Sequence, residues 1–214
     1  YQVRRVSTHA IEALIQDYST MADAVGYTQQ FDGHAFYVIN FPTADKTWAY
    51  EIETGQWHER ASIDNNGVLH RHRVACFAAA YHTIIGGDYQ TGAIYQIDPS
   101  VYTDNGMPIP RIRSFPHVLA DGNMMSFKYF RADIEVGQTV GGPYTIDLRW
   151  SFTRGASFGD PVSQQFGSEG EYYSSPWWGP IGGPTRDCVF ELSWSAPVKT
   201  ALNGAWTEIE VADA

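Results

Sequence analysis

Basic residues are scarce in this sequence. Fourteen Lys and Arg stand against twenty-four Asp and Glu, which leaves a formal net charge of −10. A protein that grips nucleic acid draws most of its affinity from neutralising phosphates, and this chain has no cationic surplus for that. Groove binding is therefore not expected. The acidity reads either as plain solubility or as a wall that DNA can pass without sticking. Cysteine is nearly absent: Cys76 and Cys188 each lie in an apolar, strand-like run, where a free thiol acts as a small buried hydrophobe. With no disulfide framework and no CxxC metal signal, the expectation is a reduced protein made in the cytoplasm. No apolar run approaches the ~20 residues of a membrane-spanning helix. Sequences of the GxSxG, HExxH, P-loop or GxGxxG type are also lacking, so no catalytic residue, no metal and no cofactor is expected.

Aromatic residues are plentiful, with 7 Trp, 13 Tyr and 11 Phe, alongside 20 Gly and 11 Pro. Aromatic side chains suit pleated, half-buried surfaces, and Gly and Pro supply the turns that short strands need. The fold class is read as all-β with one short N-terminal helix. That helix is expected over residues 8–18, where Ile11, Leu14, Ile15 and Tyr18 share one face and Ser7 or Thr8 can cap it. Period-two patterning then takes over. Strands are expected near residues 27–31, 34–41, 47–53 and 56–60, with hairpin turns at Asp32-Gly33 and Thr54-Gly55.

The order recurs in residues 73–81, 82–85 and 93–98. Tyr50-Glu-Ile-Glu53, followed by Thr54-Gly55, matches Tyr95-Gln-Ile-Asp98, preceded by Thr91-Gly92. A period of roughly forty residues built from meandering strands indicates propeller blades. Residues 1–118 are therefore read as a partial β-propeller of about two blades behind the short helix. Two blades do not close a propeller, and the opening at Tyr1 is taken as the start of a fragment. The Pro- and Asp-rich stretch 99–116 reads as a crossover. Residues 119–214 are read as a β-sandwich-like unit built on long alternating strands near 126–136, 144–152, 188–195 and 206–211.

Several side-chain groups invite a chemical reading. His70 and His72 share a strand face, but no third ligand follows and Arg71 and Arg73 oppose a cation. His58 and Glu59, as strand neighbours, point to opposite faces and form no dyad. Asp133, Glu135 and Asp147 are strand acids of a kind that keeps exposed sheets soluble. Ser151-Phe-Thr-Arg-Gly-Ala-Ser-Phe158 resembles a degraded Asp-box hairpin, with Thr153 in place of Asp and Phe158 in place of Trp. Tyr172, Tyr173, Trp177 and Trp178 cluster in a Gly/Pro-rich stretch and are the candidate interaction surface. Such a cluster packs on a sheet edge or a neighbouring subunit, or else stacks against sugars as a carbohydrate-binding module.

Particular segments resemble the packaged-DNA stabilisation, or tail hub (nozzle), proteins of short-tailed bacteriophages. They are Ser7-Thr-His-Ala-Ile-Glu12, Gly33-His-Ala-Phe-Tyr-Val38 with Phe41-Pro42, and Trp57-His-Glu-Arg-Ala-Ser62. Further pieces are Gly87-Asp88 with Gly92-Ala-Ile-Tyr-Gln-Ile-Asp98, Arg111-Ile-Arg-Ser-Phe-Pro-His117, Arg186-Asp-Cys-Val-Phe-Glu191 and Ala196–Ala205. The likeness lapses over residues 151–179. The resemblance implies a structural, non-enzymatic virion protein assembled in the host cytoplasm. It also implies a homo-hexameric ring around a DNA channel, with an adaptor, a tail spike or fibre and a needle as partners and DNA passing unbound.

Overall fold

In the computed structural model, which describes residues 2–31, 33–80, 83–136 and 141–212, the helix and the strands fall in two units, 1–107 and 108–214. The expected positions Asp32, Tyr81 and His82 lie outside the described residues. Thr8 has an extended backbone, and its hydroxyl accepts the Ile11 amide at 3.4 Å, so it caps helix α1, His9–Gln16. Ile11 is buried, but Leu14 is exposed, so the apolar face is narrower than its spacing suggests. The segment after α1 is anchored through Tyr18, which meets the Phe41 ring at 5.1 Å and accepts the Trp48 indole N–H at 2.9 Å.

The first unit continues through β1 (Val25–Phe31), β2 (His34–Phe41), β3 (Lys46–Glu51) and β4 (Trp57–Glu59), a four-stranded antiparallel meander. A short hairpin follows, β5 (Ala61–Ile63) and β6 (Leu69–Arg71). A three-stranded meander comes next, β7 (Val74–Ala80), β8 (Thr83–Asp88) and β9 (Ile94–Ile97). The short strands β10 (Thr103–Asp104) and β11 (Met107–Pro108) pair with each other. Alternation in β2 sends Phe36, Val38 and Asn40 inward, and Val38 packs with Phe36 and Ala49. Asn40 and Thr47 are buried and polar, and their bonds join the two meanders. Thr47 donates to Asn40 at 2.6 Å, Asn40 Nδ2 donates to the Val74 carbonyl at 3.3 Å, and the His72 amide donates to Thr47 Oγ1 at 3.1 Å. Satisfied in this way, buried polar groups avoid the cost of burial without a partner.

The two meanders repeat, but in a phase that differs from the sequence reading. Tyr50 lies in β3, ahead of its turn, whereas Tyr95 lies in β9, beyond its turn. The equivalent acids are Glu51 and Asp88, each closing a strand three residues before a Thr-Gly pair. The Glu51 amide donates to the Gln56 carbonyl at 2.9 Å, and the Asp88 amide donates to the Ala93 carbonyl at 2.8 Å. Gly55 and Gly92 both take φ 70°, a left-handed conformation that costs glycine little. Matching Tyr-x-Ile-acid therefore aligned opposite sides of two equal turns.

The second unit is a sandwich of two sheets. Strands β12 (Arg111–Ser114), β13 (Val118–Leu119), β14 (Met125–Val136), β15 (Tyr144–Ser151) and β16 (Val162–Phe166) are followed by β17 (Tyr173–Ser174), β18 (Trp177–Trp178), β19 (Gly182–Thr185), β20 (Asp187–Trp194) and β21 (Thr200–Val211). One sheet runs β12-β20-β15-β16, with β13 also on β20. The other is organised by β14, which pairs with β21 along one side and with β17, β18 and β19 along the other. Phe127, Phe130 and Ile134 of β14 share one core with Phe166, Phe190 and Leu192 of the facing sheet. Each such side chain contributes roughly 1.5–3 kcal/mol by leaving water.

The stretch 99–116, read as a crossover, contains β10, β11 and β12. The break between units falls after Met107 rather than at 118, because Arg111–Ser114 and Val118–Leu119 both pair with β20. Cys76 also departs from expectation. It is exposed, because the ladder shifts register between Val74 and Cys76 and turns the side chain out. Cys188 is buried as expected, and burial pushes its thiol up to about 12.

Candidate interaction surface

The four aromatic residues picked from sequence do not share one environment. Tyr172, Tyr173 and Trp177 are exposed, but Trp178 is 2% exposed. Strand alternation explains the split, since successive side chains point to opposite faces. Trp178 turns into the sandwich core and donates its indole N–H to the Val162 carbonyl at 2.7 Å. It is part of the core and not of the surface proposed for it.

Register shows what accompanies Trp177 outside. Arg131 of β14 lies opposite Trp177 on one flank and opposite Trp206 of β21 on the other. Directly paired residues in an antiparallel sheet share a face, so Trp177, Arg131 and Trp206 form one cross-strand row. Tyr129 packs beside Trp177 with ring centroids 6.2 Å apart, and Tyr173 lies opposite Glu135 farther along the same face.

Glycines decide how the indoles lie. A Cβ on Gly179 would come within 2.8 Å of Trp177, and one on Gly204 within 3.3 Å of Trp206. Each ring therefore lies along the sheet over a residue that has no side chain. Trp206 was missed in sequence. Its signal is Gly204-x-Trp206, the mirror of Trp177-x-Gly179, which places glycine and Trp on one strand face. Trp206 also walls a cleft of about 380 Å³ with Phe130 and Phe190 at its apolar lining and His117 at its polar side.

The other candidates separate. Asp133 and Glu135 lie on β14, while Asp147 lies on β15 and accepts the Ser163 hydroxyl at 2.5 Å, so the three acids do not converge. His70 is held between Asp45 at 2.7 Å and Asp64 at 3.7 Å, and the hydrogen bond it donates to Asp45, against some desolvation, holds its pKa above the ordinary histidine value. His72 is instead desolvated by burial, which pushes its pKa down. Thr153 does the work of the missing Asp in the 151–158 turn. Its hydroxyl accepts the Ser157 amide at 2.9 Å, and Ser151 accepts the Gly155 amide at 2.9 Å. One cluster of metal-ligating type is present among the described residues, His34 with Glu51 and Glu53. It was invisible in sequence because the β2–β3 register assembles it.

Residues 1–102 match the model of the Phage_stabilise family, described as Bacteriophage P22 Gp10, beta-propeller. No curated protein matches the chain. The matched stretch takes in both meanders and their repeated acid–Thr-Gly turns. Through this first unit, just under half of its length, the chain is similar to the Phage_stabilise family, a bacteriophage structural family named for stabilising packaged DNA.

Proposed function

We infer that the protein is a non-enzymatic tail hub, or nozzle, of a short-tailed phage. It closes the DNA exit channel, anchors the tail appendages and acts as a ring of six copies. It assembles in the host cytoplasm and remains in the virion tail. The match of residues 1–102 to the packaged-DNA stabilisation family carries this reading. The net charge of −10 supports it, because an acidic protein lining a channel repels phosphate and lets DNA slide. Electron microscopy of the full-length protein mixed with its adaptor should show rings with a central hole. A monodisperse monomer that ignores the adaptor would overturn the proposal.

The aromatic face of the second unit favours one further reading, a saccharide-binding platform. Indoles lying flat on glycine present the apolar ring surface that the C–H face of a pyranose stacks on, with Arg131 placed to hydrogen-bond hydroxyls between them. Titration with cellohexaose, chitohexaose and dextran oligosaccharides should give saturable quenching of Trp fluorescence for at least one of them. Trp177→Ala and Trp206→Ala should each remove it. No quenching with any of the three would exclude this use and leave the face to protein partners.

A further inference from the structure

Three ligand-type side chains converge at one end of the first meander. His34 opens β2, Glu51 closes β3 and Glu53 follows in the turn, and their ligand atoms lie within 4.8 Å of one another. His34 Nδ1 is 2.5 Å from Glu51 Oε1. Glu51 Oε2 accepts the Thr54 hydroxyl at 2.8 Å, and Glu53 Oε2 accepts the Ala35 amide at 3.0 Å. These bonds hold both carboxylates against the strand ends, as outer-shell hydrogen bonds hold metal-ligating acids.

The sister turn provides the contrast. Asp88, which occupies the place of Glu51, is neutralised by the Arg73 guanidinium at 2.8 Å and is closed off by further donors. Glu51 has no such cation among the described residues. Among the described residues, neither Glu51 nor Glu53 pairs with a Lys or Arg, and the ionisable groups that act on Glu51 are the His34 ring, in direct contact, and the His58 ring. Two carboxylates thus meet one imidazole with negative charge left uncompensated. A divalent cation supplies the missing charge, and His34, with its side chain 54% exposed, leaves the approach open.

We propose that His34, Glu51 and Glu53 bind a divalent transition ion of the zinc class. His34 contributes Nδ1, each glutamate contributes one oxygen, and water completes a four-coordinate shell. The imidazole selects against magnesium and calcium, which prefer oxygen ligands alone. Ligand bonds of about 2.0–2.2 Å place the ion between groups that now touch each other, so it replaces the His34–Glu51 hydrogen bond. Once bound, it ties the start of β2 to the turn after β3.

Isothermal titration of the metal-stripped full chain with zinc chloride is expected to reveal one saturable site that magnesium chloride does not occupy. His34→Ala and Glu53→Gln should each weaken it about tenfold or more. His70→Ala, which removes the histidine held between Asp45 and Asp64, should leave it unchanged. Zinc should also raise the melting temperature of the parent protein but not of the His34→Ala variant. No saturable binding up to about 1 mM zinc, the weak limit of specific association, overturns the proposal, as does equal affinity in His34→Ala.

Discussion

Trp178→Ala should destabilise the second unit by about 3–5 kcal/mol, the range for removing a fully buried aromatic side chain. Trp177→Ala, one residue earlier, should change stability by less than about 1 kcal/mol, the scale of a cross-strand surface pair. The chemistry of the two substitutions is the same and only the strand face differs. Trp178 meets Phe130 at 6.0 Å within the sandwich core, and its truncation also leaves the Val162 carbonyl without its 2.7 Å donor. Trp177 is half exposed and rests on glycine and Tyr129. Urea unfolding followed by near-ultraviolet circular dichroism separates the two. Equal losses would mean that the face assignment along β18 is wrong.

Asp88→Ala should cost the first unit a comparable amount, about 3–5 kcal/mol, because it strands the partners of a buried carboxylate. The Asp88 side chain has no exposed area. Its Oδ2 accepts Arg73 Nε at 3.0 Å and Nη2 at 2.8 Å, the Thr91 hydroxyl at 2.9 Å and the Tyr95 hydroxyl at 2.9 Å, while Oδ1 accepts the Gln90 amide at 2.6 Å. Burial alone would raise the pKa of this acid. The hydrogen bonds from Gln90, Arg73, Thr91 and Tyr95 outweigh burial and hold it well below the usual carboxylate range. A folded pKa below the unfolded one makes the contribution complete above the unfolded value of about 3.9 and lost as pH falls toward the folded value. Unfolding curves at descending pH should therefore show the parent protein converging on Asp88→Ala in strong acid. A gap that stays constant from neutral pH into strong acid would assign the loss to packing instead.

Much of the fold was legible wherever a long strand carries one buried and one wet face. β2 begins and ends as its alternation predicts, and β14, β15 and β20 lie within a residue of theirs. Strands β13 and β16 to β19 escaped because they are short and owe their existence to distant templates. β14, β15 and β20 provide edges for them, and no local pattern encodes such pairing. The repeat was recognised by residue identity before the turns fixed its phase, which is why two tyrosines on opposite sides of equivalent turns looked alike. The surface residues were half legible. The Trp177-Trp178 pair carried its own alternation signal, whereas the Arg131–Trp206 partnership depends on a register set across the chain.

The Asn40–Thr47 bridge gives the first unit a mechanical character. Its side chains join the β1–β4 meander to the Val74 carbonyl and the His72 amide, the threshold of the next meander. Sliding one meander along the other breaks several short-range bonds at once and exposes their donors and acceptors to an apolar surround. The joint therefore resists shear stiffly up to a threshold and then yields, unlike a greasy interface, which creeps. Under load, such a joint would keep the two meanders in register until it gave way.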